Sequence, residues 1–379
     1  MVKTMKLLVP WYRYPPFSES GAGGGLSVAV WETTIELSRR GVRVDVLTPE
    51  SSSETHEQLF GVRVVSSPLG EKFCMDKSLN RNEEQTLEEY DAILSVANYA
   101  AVALSSCKRT LPRISRQIHA VASDRSLSTY VSLTPGVSEY LKMSLARRRD
   151  NRNLRLLKGS RTLCVSEYIR SRMLTGREEP HDILCIPNGI ETKNFRPLGV
   201  TKEQDLLFIG RFQKSKGLDI LLDALGLLAA RKDEIYKLAV IGSFSEEQRR
   251  YLLQSLPSVM KSAVVFLGPL KRDAVPLAIN HSKVVVVPSR YESFGLPALE
   301  AVACGIPVLA ARVGGLPEII DSSVGALVEP NNPEALAKAI SNSLRVPGMC
   351  ESAQIAGPAK ASRYDWSVVA PEIQQAIFA

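Results

Sequence analysis

Asp205-Leu-Leu-Phe-Ile-Gly-Arg-Phe-Gln-Lys-Ser-Lys-Gly217 decides how this chain folds. An apolar run of strand length, Asp205–Ile209, ends in a glycine; cations follow at once, and a helical run opens near Leu218. That is a strand, a turn and a helix of an α/β unit, with its loop at the carboxyl end of a parallel strand. Gly210 lets the backbone leave the strand sharply, and Arg211 and Lys216 can converge on phosphate oxygens at the top of the sheet. Taken alone, the loop also reads as two solvated cations beside a helix start.

The unit repeats downstream through Lys237–Ile241, Val264–Leu267, Val284–Pro288, Pro307–Ala311 and a last strand near Ala326–Glu329. These strands are nearly all apolar, as expected where helices cover both faces of a sheet. Upstream, Lys6–Pro10, a helical stretch Leu26–Arg40 and the β-branched run Val42–Thr48 make a βαβ unit, with Gly41 where a helix needs a residue tolerant of positive φ. Strand candidates continue at Asp91–Val96, Pro112–Ile118, Arg161–Val165 and Ile183–Pro187. Between the two series the prolines and the Asn-Gly pair of Pro187–Pro197 mark a turn and a linker. The fold class is therefore α/β, with two Rossmann-like domains: residues 1–187, then residues 188–363, with a helical stretch at 364–379 that can cross back onto the first.

Composition agrees: 379 residues exceed one ordinary core, and 45% hydrophobic with 23% charged residues is globular. No apolar run approaches the roughly 20 residues of a membrane helix, and Met1–Pro10 is too short in its apolar part for a secretory signal, so the cytoplasm is expected. Six scattered cysteines without a C-x-x-C pair argue against a disulfide framework or a zinc site, and read as small buried hydrophobes. The net charge of +7 concentrates in Lys142–Arg172, which carries ten Lys and Arg. The plain reading is a solvated helical face; the sharper ones are peripheral contact with an anionic membrane or an anionic acceptor. Nucleic acid is disfavoured, because few aromatics interleave with the charges.

The second signal is Glu292-Ser-Phe-Gly-Leu-Pro-Ala-Leu-Glu300, directly after a buried strand. Pro297 fits the first helical position, so free amides near Phe294, Gly295 and Leu296 can point at an anion. Glu300, on the opening turn, could then reach ribose hydroxyls, and Glu292, in the loop, could accept hydrogen bonds from a sugar. The plain alternative is a favourable charge at a helix start and an exposed loop acid.

Together Gly210–Gly217, Pro288-Ser-Arg-Tyr-Glu-Ser-Phe-Gly295 and the paired Glu292 and Glu300 resemble the signature of retaining family 4 glycosyltransferases of GT-B architecture. Pro187–Ile190, Gly305–Val308 and Gly314-Gly-Leu-Pro-Glu318 match the same family's segments, so the likeness spans the second domain and linker, and the first domain matches more loosely. The resemblance implies two domains facing a central cleft. It makes Arg211 and Lys216 the diphosphate cations, Glu300 the ribose ligand and Glu292 the donor-sugar carboxylate. The segment from Ser293 to Leu296 assists, and the base lies against Gly268-Pro-Leu270.

In the first domain, Gly21-Ala-Gly-Gly-Gly25 opens a helix and resembles the family's amino-terminal glycine loop, which makes Gly23, Gly24 and Gly25 donor-binding candidates. A dinucleotide site is the competitor, but the spacing fails G-x-G-x-x-G. His119, at the end of a strand, stands where family members often place a histidine that touches the donor sugar; a lone histidine there also serves as an ordinary structural residue. His56, His181 and His281 show no metal or triad pattern, and G-x-S-x-G, H-E-x-x-H, P-loop and D-x-D motifs are missing.

The implied reaction moves a sugar from a nucleoside diphosphate sugar, expected to be uridine-linked, to a hydroxyl acceptor with retention. No metal or further cofactor is called for, and closure about Pro187–Pro197 is the expected gate. The acceptor is a glycan or lipid-linked intermediate, or a small natural-product molecule. A nucleotide-sugar epimerase or hydrolase on the same frame is the nearest rival, and a two-domain solute-binding protein the more distant one.

Overall fold

The computed structural model describes residues 4–11, 25–49, 56–74, 77–96, 104, 105, 107, 111–118, 160–174, 182–232, 235–254, 256–345 and 348–379. Its strands form two sheets. The first holds β1 (Lys6–Pro10), β2 (Arg43–Thr48), β3 (His56–Leu59), β4 (Val62–Ser66), β5 (Ala92–Val96), β6 (Arg113–Ile118), β7 (Arg161–Cys164) and β8 (Ile183–Cys185). Their order is β3-β4-β2-β1-β5-β6-β7-β8, parallel except where β3 runs against β4.

The second sheet holds β9 (Gln204–Ile209), β10 (Leu238–Ile241), β11 (Val264–Gly268), β12 (Ser282–Val287), β13 (Val308–Ala311) and β14 (Gly325–Val328). It is parallel throughout, in the order β11-β10-β9-β12-β13-β14. Numbered within the sheet this is 3-2-1-4-5-6, and the order reverses between β9 and β12. A crevice opens at the carboxyl ends of two such strands because their following helices leave to opposite faces.

Five helices frame the sheets where the site forms: α1 (Gly25–Arg39), α2 (Glu167–Leu174), α3 (Leu218–Lys232), α4 (Leu296–Ala303) and α5 (Trp366–Phe378). Their apolar stripes face the sheets. Leu221, Leu225 and Leu228 of α3 pack with Phe208 and Val240, while Val369, Ile373 and Ile377 of α5 pack with Val9, Val44 and Leu94 of the first sheet. Gly41 closes α1 at φ 84°, the left-handed turn that lets β2 start at once.

The chain passes between the sheets twice, and the passages are tied together. Ile190 N–H donates to Tyr364 O at 2.8 Å, and Trp366 N–H to Ile190 O at 3.2 Å. A Cβ on Gly189 would sit 2.4 Å from the Trp366 ring, so the Asn188-Gly189 turn carries glycine because the indole lies on its backbone. A shared apolar cluster joins Ile118, Cys164, Val165 and Ile169 to Phe294, Leu296, Leu316 and Ile319.

Expectation and structure differ in places. The β3–β4 hairpin was not anticipated, because His56-Glu-Gln-Leu59 is short and half polar; its turn, Phe60-Gly61, has φ of 52° and 84°. Only part of the cysteine reading holds: Cys164 and Cys304 are buried, whereas Cys107, Cys185 and Cys350 are half-buried, and all five are free thiols. Burial pushes Cys164 and Cys304 up to about 12, far from a reactive thiolate. Gly23, Gly24 and His119 lie outside the described residues, as does most of Lys142–Arg172; of that basic stretch, Arg161 pairs with Asp182 at 2.6 Å and Arg170 with Glu167 at 3.2 Å. Among the described residues no helix is long and apolar enough to cross a membrane.

Candidate active site

The loops after β9 and β12 meet at the reversal point of the second sheet. After β9 the backbone turns at Gly210, where a Cβ would lie 2.8 Å from the Phe208 ring, and makes a single 3-10 turn at Lys214–Lys216. Gly217 ends that turn at φ 72°, with its missing Cβ aimed 2.0 Å from Pro288 O of the second loop. Only glycine allows such an approach, so the two loops are pressed together by a backbone contact.

Arg290 then locks them. Its Nη1 and Nη2 each donate to an oxygen of Asp219 on α3 at 2.7 Å, Nη1 also reaches Lys214 O at 2.7 Å, and the Arg290 N–H donates to Ser215 O at 2.8 Å. A planar fork fits a carboxylate in this way, and a lysine cannot. The lock sets Lys216 against Glu292: Nζ donates to Oε2 at 2.7 Å, with the two side chains 23% and 12% exposed. Glu292 is held from its other side by Gly315, whose N–H donates to Glu292 O at 3.1 Å. Arg211, by contrast, is exposed at the rim.

The second loop ends at Gly295, which caps α4 at φ 107°. Leu296 is the first helical residue and Pro297 the second, one place later than the sequence suggests. Proline is tolerated there because the first turn's amides have no partner inside the helix. The Phe294 ring is core, 4% exposed and edge-on to Tyr364 at 5.9 Å, so only its amide is available to a ligand. Ser293 gives its carbonyl to Ser166 Oγ of the first domain at 2.7 Å. Leu270, in the turn after β11, is half-buried and packs against the central cluster.

Glu300 corrects a second expectation. It is the fifth residue of α4, past the opening turn, and 4% exposed. A carboxylate there requires a partner, and it has one in Arg272, whose Nη1 donates to Glu300 Oε1. Arg272 Nε also donates to Oε1 of Glu32, on α1, at 2.9 Å, and the guanidinium lies over the Phe195 ring at 4.4 Å. Burial pushes Glu32 up to about 6; Arg272 pulls it down and Glu300 pushes it further up. For Arg272, the neighbouring carboxylates, Glu300 first, outweigh burial and hold the guanidinium charged. Neither Glu32 nor Arg272 was singled out by the sequence reading. A third contact between domains is made by Glu318, whose oxygens accept the Glu167 and Tyr168 amides of α2 at 3.0 and 2.9 Å.

Residues 23–194 match glycosyltransferase family 4, and residues 190–359 match the glycosyl transferases group 1. The chain belongs to the family 4 glycosyltransferases. This glycosyltransferase is 29% identical to a D-inositol 3-phosphate glycosyltransferase of Segniliparus rotundus over 94% of its own length and 85% of that protein's. It is 28% identical to an uncharacterized glycosyltransferase of Methanocaldococcus jannaschii over 97% and 96% of the two chains. Its fold superposes on the sucrose-phosphate synthase of Thermosynechococcus elongatus with a TM-score of 0.77 at 22% identity, covering 98% of each chain. HepE of Anabaena, solved in complex with UDP-glucose, superposes with a TM-score of 0.73 at 19% identity, again covering 98% of each. The glycosyltransferase therefore has GT-B architecture.

Proposed function

We propose that this enzyme transfers a sugar, with retention, from a uridine diphosphate sugar to a hydroxyl acceptor, and that side chains and helix amides rather than a metal carry the diphosphate charge. One observation bears most of the weight: the loops after β9 and β12 bring Lys216 and Glu292 within 2.7 Å where the strand order reverses. At that place Lys216 takes a diphosphate oxygen, Arg211 closes over it from the rim, and the amides of Phe294, Gly295 and Leu296 point at the same charge. Glu292, released from Lys216 by the arriving anion, accepts hydrogen bonds from hydroxyls of the donor sugar. Glu300 accepts from the ribose and Leu270 borders the base. In the first domain, Gly23 to Gly25 supply further amides and His119 touches the donor sugar.

Charge grows on the diphosphate as the glycosidic bond breaks, and preorganised donors act most strongly there. The acceptor hydroxyl attacks from the face the nucleotide leaves, so no side chain has to become a covalent nucleophile. The relative crystallised with UDP-glucose supports the uridine donor. The relatives' name supports a small hydroxyl-bearing acceptor, with a lipid-linked one as the alternative that would use the basic segment Lys142–Arg172 at a cytoplasmic membrane face. The passages between the sheets, residues 187–197 among them, are the hinge for closure.

A thermal-shift panel of nucleoside diphosphates tests the donor reading. A ligand at 100 times its Kd adds roughly 2.7 kcal/mol of stability, and uridine diphosphate is expected to give the largest shift. A flat panel would remove the proposal. Release of free sugar at the full turnover rate without an acceptor would move the activity to a hydrolase.

A further inference from the structure

Glu300 does not stand alone in this site. Its Oε1 is committed to Arg272, and Arg272 is in turn anchored by Glu32, which lies on α1 of the first domain. Arg272 Nη2 also approaches Glu32 Oε1 at 2.9 Å, so two edges of the guanidinium face carboxylates while the Phe195 ring covers one of its faces. The side chains of Glu32, Arg272 and Glu300 are 15%, 24% and 5% exposed. One guanidinium between two carboxylates leaves an excess of negative charge, an environment that repels phosphate and accepts hydroxyl hydrogens.

We propose that Glu32 and Arg272 are positioning residues for the donor's ribose: Glu32, from the first domain, fixes Arg272, and Arg272 aims Glu300 so that its second oxygen meets a ribose hydroxyl. The inference rests on the reading of Glu300 as a donor ligand and goes beyond it, because it makes ribose recognition depend on a residue of the opposite domain. Arg272 holds Glu300 in one rotamer; without that hold the carboxylate turns toward other donors or toward water, and its hydrogen bond to the ribose weakens. Glu32 does the same for Arg272 at one further remove. Because Glu32 and Glu300 belong to different domains, the ribose subsite is complete only while the two domains are in contact.

Calorimetry on the full chain separates this role from a structural one. Uridine, adenosine and guanosine diphosphates are titrated first, and the tightest is then compared with its 2′,3′-dideoxy form. A hydrogen bond from ribose hydroxyl to a buried carboxylate gives the unmodified chain a preference of roughly tenfold or more for the ribosyl form. In Glu32→Gln and in Arg272→Lys that preference falls by at least about threefold, through loss of affinity for the ribosyl form alone. Circular dichroism identifies which variant is folded, and the ratio is read from it. Equal weakening of both nucleotides, or a variant that keeps the full preference, overturns the inference and leaves the donor site standing. So does an unmodified chain that binds the two forms equally. If the unmodified chain binds no nucleoside diphosphate, the donor reading fails and the inference with it.

Discussion

Gly314→Ala perturbs the site without removing any of its chemistry. Gly314 has φ 56°, and a Cβ built on it would lie 1.6 Å from Glu292 O. Real Cβ atoms stay at least 3.0 Å from such a neighbour, so the Glu292 backbone has to retreat by about 1.4 Å, the difference between those two distances. The left-handed conformation costs an alanine roughly 1–2 kcal/mol. Loss of the 3.1 Å bond from Gly315 N–H to Glu292 O adds about 1 kcal/mol. The expected destabilisation is about 2–3 kcal/mol before the clash is relaxed. Misplacing a substrate-binding group by about 1 Å costs on the order of a hundredfold in rate. Gly41→Ala is the control, since it has φ 84° with nothing within 4 Å of its Cβ and shares the strain without the clash. Urea unfolding and steady-state transfer kinetics on both variants decide the matter: Gly314→Ala loses about a hundredfold in kcat/KM, while Gly41→Ala loses only stability. Equal kcat/KM in the two would refute the idea that the placement of Glu292 matters.

Three further outcomes are expected from the geometry. Lys216→Ala and Glu292→Gln each lower kcat by roughly 10²–10³ while unfolding midpoints stay within a few degrees, because each removes a proposed donor contact from a partly exposed pair; near-normal turnover in both would count against the assignment. Arg290→Lys removes the fork to Asp219 and is expected to cost about 1–3 kcal/mol in urea unfolding and about tenfold in kcat, since the lysine cannot hold both loops. The Glu32 carboxyl, raised from 4.5 to about 6, binds its proton more tightly in the folded chain than in the unfolded one, so its contribution to stability falls as pH rises through that window, by about 2 kcal/mol. In Glu32→Gln that segment of the pH–stability curve is absent, and a wild-type curve of the same slope would contradict it.

Sequence patterning carried the parallel architecture because its signals are local: apolar runs of strand length, most of them closed by a glycine or proline. The loops at the reversal point were legible for the same reason, since Gly210 to Gly217 and Pro288 to Gly295 hold their cations, carboxylates and glycines within a few residues. What escaped was long-range. Arg272 is one of 47 Lys and Arg residues and sits in a turn after a strand, where a charge is ordinary. Only the fold sets it between Glu300, 28 positions away, and Glu32, 240 positions away. Glu32 itself reads as the polar face of an amphipathic helix, and no local signal marks it as buried. Gly314 reads from sequence as part of a turn, but the contact that makes glycine obligatory there comes from a loop more than twenty residues earlier.

The proposed function requires that the rim above β9 and β12 hold the diphosphate of a sugar nucleotide. A crystal structure of the chain with uridine diphosphate tests it directly. The diphosphate is expected within hydrogen-bonding distance of Lys216 Nζ and of the amides that begin α4, with the ribose on Glu300. Nucleotide density elsewhere on the molecule, with Lys216 still paired to Glu292, would contradict it.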